Sequence, residues 1–308
     1  MKHLWLALAA LAMAGAAPAD WLYPVGARGD PGKTPDTKTV RHLPGSKAGF
    51  SDAQLGDLAH AVDWRPGEHP PMPPAVASGQ GQAGACGYCH LPDGSGRPEN
   101  ASLAGLPADY IRRQVADFAS GARGHGASFL PTQLMTATAR AADPAAVAQA
   151  ADYFSRLKFT EHVRLVETDK APPFAATHFV YAFHKGAPAP LGERILEGPD
   201  SMERFERRDS HVGFTAYVPK GAIARGAALA QPCAACHGAG LKGGLGPPLA
   251  GRSPTYIARQ LFAFQSGARA GAASAPMRPV AAKLSEEQVI DLAAYAASLK
   301  PYTNGAGV

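Results

Sequence analysis

A mainly α chain of two tandem helical domains, with a small β-containing insertion between them, is predicted by three observations. Two identical frames, Cys86-Gly87-Tyr88-Cys89-His90 and Cys233-Ala234-Ala235-Cys236-His237, hold all four cysteines of the 308-residue sequence. The residues around the first frame recur around the second, as in a duplicated domain. Helix-start signals stand at matched places near the end of each copy: Asp143-Pro144 in one, and the capping-box pattern Ser285-Glu286-Glu287-Gln288 in the other. Composition agrees with the fold class. A hydrophobic share of 46% allows real cores, while Gly 34 and Pro 28 demand many turns. The net charge of +5 is scattered rather than gathered, which excludes a nucleic-acid tract. Four cysteines are too few for a disulfide scaffold.

The elements follow in chain order. Met1-Lys2-His3, an apolar run from Leu4 to Ala16 and the small-residue site Ala17-Pro18-Ala19 form a signal peptide over residues 1–19, cleaved after Ala19. Its apolar run is shorter than the ~20 residues that a membrane span needs, so the expected product is an exported, soluble protein. Cleavage removes Lys2 and leaves +4 on the side chains. Residues 20–77 are an N-terminal extension with a helix over 51–62 started by Ser51 or Asp52. The proline string ending at Pro74 then runs extended, anchored by Trp64 and Met72. The first domain, 78–159, has an amphipathic helix from Tyr110 to Ser120 and a closing helix from Asp143-Pro144. An insertion spans 160–220, far longer than an ordinary linker. Its strand-like runs, 177–183 and 213–218, flank a mixed-charge stretch, and the expectation is a β clasp between the domains or over a cofactor edge. The second domain, 221–302, repeats the first, and 303–308 form a tail.

The repeat is detailed. Over Ala108 to Arg123, nine of sixteen residues match 254–269, including Tyr110-Ile111, Gln114, Phe118 and Ser120-Gly121-Ala122-Arg123. Leu103-Ala104-Gly105 falls on Leu249-Ala250-Gly251, and Gly79 falls on Gly226.

Cys-x-x-Cys-His is the attachment signature of c-type haem. Two thiols three positions apart reach the two vinyl groups on one edge of a haem, and the adjacent His serves as a ligand to the iron. Zinc would need further ligands, and a dithiol redox motif gives no reason for a His after both pairs. Two covalently bound c-type haems are therefore expected, with Cys86, Cys89, Cys233 and Cys236 as thioether sites and His90 and His237 as proximal ligands. Met135 and Met277 each stand twelve residues before a matched valine, Val147 and Val289. They are the expected distal ligands, because a low-spin electron-transfer haem needs a ligand on each face of its iron. The remaining histidines follow no ligand spacing. His125 is the rival to Met135, and its ligation would lower the potential of that haem.

Two Cys-x-x-Cys-His domains in tandem, each with Leu-Ala-Gly, a Tyr-Ile-x-x-Gln helix ending in Ser-Gly-Ala-Arg, a distal Met and a closing helix, resemble the diheme cytochrome c4 family of tandem class I cytochrome c domains. The resemblance covers 78–159 and 221–302. It implies a periplasmic electron carrier, at most peripheral to the membrane, whose domains face one another about a pseudo-two-fold axis, with Gly79 and Gly226 letting the first helix of each domain approach the last, near Tyr153 and Tyr295. It also implies a proline carbonyl on the proximal His. Pro247 fits that position in the second repeat, but Ala101 stands there in the first, with Pro98 nearby.

The function expected is a carrier of single electrons from a dehydrogenase or quinol-oxidising donor to an oxidase or reductase, working as a monomer or small dimer and not as an enzyme. A cytochrome subunit of a dehydrogenase complex is the alternative, with 20–77 and 160–220 as docking surface. A two-haem peroxidase would need a displaceable ligand, which paired methionines oppose. A thiosulfate-oxidising cytochrome of similar build puts a cysteine on iron, and all four cysteines here are already engaged.

Overall fold

The computed structural model describes residues 20–26 and 35–301. The signal peptide, its cleavage site and the tail 303–308 lie outside the described residues. The extension contains β1 (Val40–Arg41), β2 (Phe50–Ser51), α1 (Asp52–Leu55) and α2 (Pro74–Ala77). Helix α1 starts as expected, with Ser51 and Gln54 closing a capping box. It ends after one turn at Gly56 rather than near Val62. Beyond that glycine the Asp57 carboxylate accepts from the Ala59 amide and bonds His60, a local alternative to helical bonding. Trp64 is an anchor: it is 3% exposed, and its indole N–H donates to the Arg207 carbonyl at 2.6 Å.

The first repeat is built from α3 (Cys86–His90), α4 (Ala108–Ser120), α5 (Leu130–Ala141) and α6 (Pro144–Arg156), with α2 packed on α6. The insertion follows: β3 (Val163–Glu167), β4 (Lys170–Ala171), β5 (Phe174–Thr177), β6 (Val180–Phe183), β7 (Ala189–Pro190), β8 (Leu196–Pro199), α7 (Met202–Glu206) and β9 (Phe214–Val218). The second repeat comprises α8 (Ala222–Leu229), α9 (Ala234–His237), α10 (Pro254–Ser266), α11 (Met277–Ala281) and α12 (Glu286–Ser298). Asp143 caps α6, and Ser285 with Gln288 closes a capping box on α12, as the start signals require.

The insertion is a β unit laid on the second repeat. Strands β3, β9 and β8 form one sheet in that order, β3 parallel and β8 antiparallel to β9. Its inward residues Val163, Phe214, Ala216 and Val218 share a core with Ile257 and Leu261 of α10, with Val289, Ile290 and Ala293 of α12, and with Trp21 and Leu22 of the extension. The expected strand 177–183 is instead the second half of a hairpin, β5 with β6. His178 and Phe179 turn it with φ of 43° and 72°.

The expectation for the two aligned glycines divides. At Gly226 an added Cβ would lie 2.0 Å from the Asp291 carbonyl oxygen and 2.7 Å from Tyr295 Cβ, so α8 and α12 cross there by virtue of the missing side chain. At Gly79 an added Cβ would meet the Ala83 carbonyl instead. The counterpart of α8 in the first repeat is only the single turn α2, which ends before Gly79, so that glycine serves a local turn and not a helix crossing.

Candidate haem-attachment sites

Each Cys-x-x-Cys-His segment winds into a short helix. In α3 the Cys86 and Cys89 side chains lie one turn apart on the same face, with His90 closing the helix. Cys233 stands at the N-terminal end of α9, and His237 closes that helix. All four thiols are free of disulfides. Burial pushes Cys86 up to about 11 and also raises Cys89 and Cys233. Such an environment keeps thiols protonated and disfavours zinc, which binds thiolates. Among the described residues no group of three or more His, Cys, Asp or Glu is placed to hold a metal ion.

The two histidines are held alike. His90 Nδ1 lies 2.8 Å from the Ala101 carbonyl oxygen, and His237 Nδ1 lies 2.8 Å from that of Pro247. A carbonyl only accepts, so Nδ1 carries the hydrogen and Nε2 keeps a free lone pair. Burial lowers the pKa of each imidazole. The carbonyl bond offsets part of that effect, and the charges of Arg123 on His90 and Arg269 on His237 add to it. Both rings are thereby kept neutral, the form that ligates a metal. Ala101 provides the carbonyl for His90, while the Pro98 carbonyl accepts from Arg259 Nη1 at 2.7 Å. Gly246 faces His237 so closely that a Cβ would lie 2.8 Å from the ring.

Met135 and Met277 occupy topologically matched helices in different local settings. Met135 is half-buried in the middle of α5, which packs on α4. Met277 opens α11 behind Pro276, half-buried against the second core, and α11 packs on α10. The longer α5 uses the extra residues Leu130 to Leu134, so the two pockets differ. His125 is exposed.

Arg123 and Arg269, which in the sequence are only matched positions of the repeat, form the junction of the two repeats. Arg123 Nη2 donates to Tyr256 Oη and Gln260 Oε1 at 2.9 and 2.7 Å, and Arg269 Nη2 donates to Tyr110 Oη and Gln114 Oε1, both at 2.8 Å. Each arginine thus reaches across to the other repeat, about an antiparallel bridge between the two residues. Burial alone would raise the Tyr110 hydroxyl, but the charges of Arg269 and Arg123 reverse that and hold it below its ordinary value. Arg252 spans the same junction, donating to the Ser102 and Ala104 carbonyls, and burial pulls it down to about 10. Arg123, Arg252, Arg259 and Arg269 are all buried, and none of their hydrogen bonds goes to a carboxylate. Arg269 Nε and Arg259 Nη2 have no hydrogen-bond partner among the described residues. The charges of Asp117 on Arg123 and of Glu197 and Glu99 on Arg259 compensate these cations in part, and buried cations that lack a bonded carboxylate are costly, so this junction suits a cofactor that brings acidic groups. A signal for it was present in the sequence, since an arginine follows Ser-Gly-Ala in both repeats of a chain with few charges.

Free paired thiols, neutral imidazoles with Nε2 available and buried arginines that donate to no carboxylate fit haem in both repeats, and together they define a c-type cytochrome. The cytochrome c family model matches residues 223–300. A thiosulfate dehydrogenase electron acceptor from Stutzerimonas stutzeri is 30% identical over 70% of this chain and 79% of that protein. A cytochrome c4 from Azotobacter vinelandii is 27% identical over 71% of this chain and 87% of that protein. The crystal structure of reduced cytochrome c4 from Pseudomonas stutzeri aligns with a TM-score of 0.45 at 22% identity, covering 70% of this chain and 93% of that one. The chain belongs to the diheme cytochrome c4 family. It is an electron-transfer protein with two covalently bound c-type haems.

Proposed function

We propose that this chain is a periplasmic relay that accepts single electrons from a dehydrogenase or quinol-oxidising donor and delivers them to an oxidase or reductase, without catalysing a reaction of its own. The observation that carries the reading is the repeated histidine geometry, with each Nδ1 tied to a carbonyl at 2.8 Å and each Nε2 left to ligate. In this reading 78–159 and 221–302 are the two haem domains, and 1–19 are removed on export. Cys86 and Cys89 hold one haem and Cys233 and Cys236 the other. His90 and His237 are the proximal ligands, Met135 and Met277 the distal ones. When bound, each haem supplies a one-electron ferric/ferrous couple. The residues of the chain fix its ligands and place the Arg123 and Arg269 guanidinium groups to receive haem carboxylates. Among the described residues no helix is long and apolar enough to cross a membrane.

The relatives described as thiosulfate dehydrogenase electron acceptors favour a donor of the dehydrogenase class. They also keep a second reading in play, a subunit that stays bound to its dehydrogenase, and copurification with that enzyme separates the two. The test of the main reading is optical. Two haems per chain, a methionine-to-iron charge-transfer band from both, and no reaction with carbon monoxide or peroxide are expected. A haem that lacks the band and binds carbon monoxide readily would overturn the ligand set at that site and bring catalysis forward.

A further inference from the structure

The two attachment segments lie in unlike fields. In the first, Tyr88 is 5% exposed, and its hydroxyl donates to the Leu55 carbonyl of the extension at 3.3 Å. From the insertion, the Arg208 guanidinium lies 3.4 Å over the Tyr88 ring, and Arg208 Nη1 donates to the Tyr88 carbonyl at 3.0 Å. Tyr88 adjoins Cys89, so a cation is seated against the first attachment helix. In the second segment Ala235 stands in place of Tyr88 and is exposed.

The surrounding chain holds Arg208 in this position. It follows α7 with φ of 57°, a left-handed conformation that persists in a residue with a side chain only where its surroundings impose it. On one side of it the Trp64 indole fixes the Arg207 carbonyl. On the other the Asp209 carboxylate accepts from Arg65 Nη1 at 2.9 Å and from Arg204 Nε at 2.6 Å. The neighbouring acid is thus taken up, and Arg208 is ion-paired with no carboxylate among the described residues. The other charges here, Arg97 and Glu99, are a buried pair at 2.9 Å. Counted from the cysteine frames, Gly244 and Gly246 occupy their places in the second repeat. Burial raises the Cys89 thiol, and the charges of Arg208 and then Arg97 oppose it while Glu99 adds to it. Burial raises Cys233 as well, with no cation among the described residues opposing it.

Cover and charge act on an iron with one sign. A cation beside a haem favours the ferrous state, which carries one positive charge fewer than the ferric. Exclusion of water disfavours the extra ferric charge and strengthens the field of the cation. We propose that Arg208 raises the first haem above the second in potential, so that a single electron shared between the two haems rests on the first. The proposal rests on the haem-ligand reading above. Haem content, two per chain by the pyridine haemochrome spectrum, tests that reading separately.

The test is a spectroelectrochemical titration of the holoprotein, in which each ferric iron takes one electron from the electrode. Two steps are expected, the upper from the first haem. Met277→His, which replaces the methionine that favours the ferrous state, is expected to displace the lower step and leave the upper one in place. Displacement of the upper step, or a wild-type titration with coincident steps, would overturn the proposal. Arg208→Gln is expected to lower the upper step by about tenfold in its reduction equilibrium, which is about 59 mV for one electron, and to leave the lower step unmoved. Arg208→Lys, which keeps the charge and gives up the planar contact with Tyr88, is expected to restore most of that loss. Equal losses in the two variants would make the effect one of packing and overturn the role of the charge. Glu99→Gln, which removes the opposing anion from the same edge, is expected to raise the upper step, and a fall there would overturn the proposal as well.

Discussion

Ala101 and Pro247 offer the same atom, a backbone carbonyl, at the same 2.8 Å to the two imidazoles. The side chain of neither residue takes part, which is why the sequence could point to Pro247 and yet leave the partner of His90 open. Pro247→Ala is accordingly expected to leave the visible spectrum of the holoprotein unchanged and to cost less than about 1 kcal/mol, the chain-entropy effect of a proline, as read from denaturant melts. Arg123 acts by charge instead. At a separation of about 10 Å and an effective dielectric near 20, a unit charge is worth about 1.7 kcal/mol, or roughly 70 mV for one electron. Removing a cation disfavours the ferrous state, so Arg123→Gln is expected to lower a midpoint potential by tens of millivolts in a redox titration, while Arg123→Lys restores most of it.

Glu197 shows the cost of an acid placed under a helix start. Its carboxylate accepts from Ser253 Oγ at 2.7 Å and from the Thr255 amide at 3.1 Å, but its second oxygen has no hydrogen-bond partner among the described residues. Burial raises its pKa above 4.5 despite the bonds from Thr255 and Ser253. The folded state therefore holds this proton more tightly than the unfolded one. The stability it contributes is full below pH 4.5 and is lost as pH rises through the higher folded value. Glu197→Gln is expected to remove that part of the pH slope, measured as melting temperature from pH 4 to 8.

At the scale of elements, what could be read was what the backbone rules write into residue type. Helices α4, α6, α10 and α12 announced themselves by apolar spacing and by Ser, Asp and Pro at their starts. Ser285→Ala is expected to cost about 1 kcal/mol by loss of its cap, read by chemical melts with the spectrum intact. Gly226→Ala, which drives a methyl into the Asp291 carbonyl, is expected to cost about 2–3 kcal/mol by overpacking. The hairpin β5–β6 was not legible, because turns with positive φ at both central positions usually carry Asn-Gly or a similar pair, and here they are His178 and Phe179. Strand β8 was hidden for another reason. All four of its residues are buried, so it shows no alternation, and it sits in a stretch that reads as charged loop. Helix α1 ends sooner than the pattern suggests because the chain turns at Asp57 to His60, and of the apolar residues after Gly56 only Val62 packs with Trp64 in a small core.

For the whole molecule, the legible part was the duplication and its cofactor chemistry, while the arrangement of the added segments depends on contacts between residues more than a hundred positions apart. Trp64 is one such contact, stacked edge-on to Phe50 at 4.7 Å and bonded to Arg207. Trp64→Ala is expected to cost about 3–5 kcal/mol in that local core and to make residues 40–70 cleavable in limited proteolysis, with the haem spectrum retained.

The exchange of arginines across the junction has a kinetic corollary. Arg123 is completed by Tyr256 and Gln260 and Arg269 by Tyr110 and Gln114, while the Gly124 and Ala270 amides donate to Ala268 and Ala122. Neither repeat can swing without stripping buried charges of their partners on both sides. The passage of an electron from one half to the other then requires no hinge, and its rate should be indifferent to solvent viscosity, the same in buffer as in concentrated glycerol.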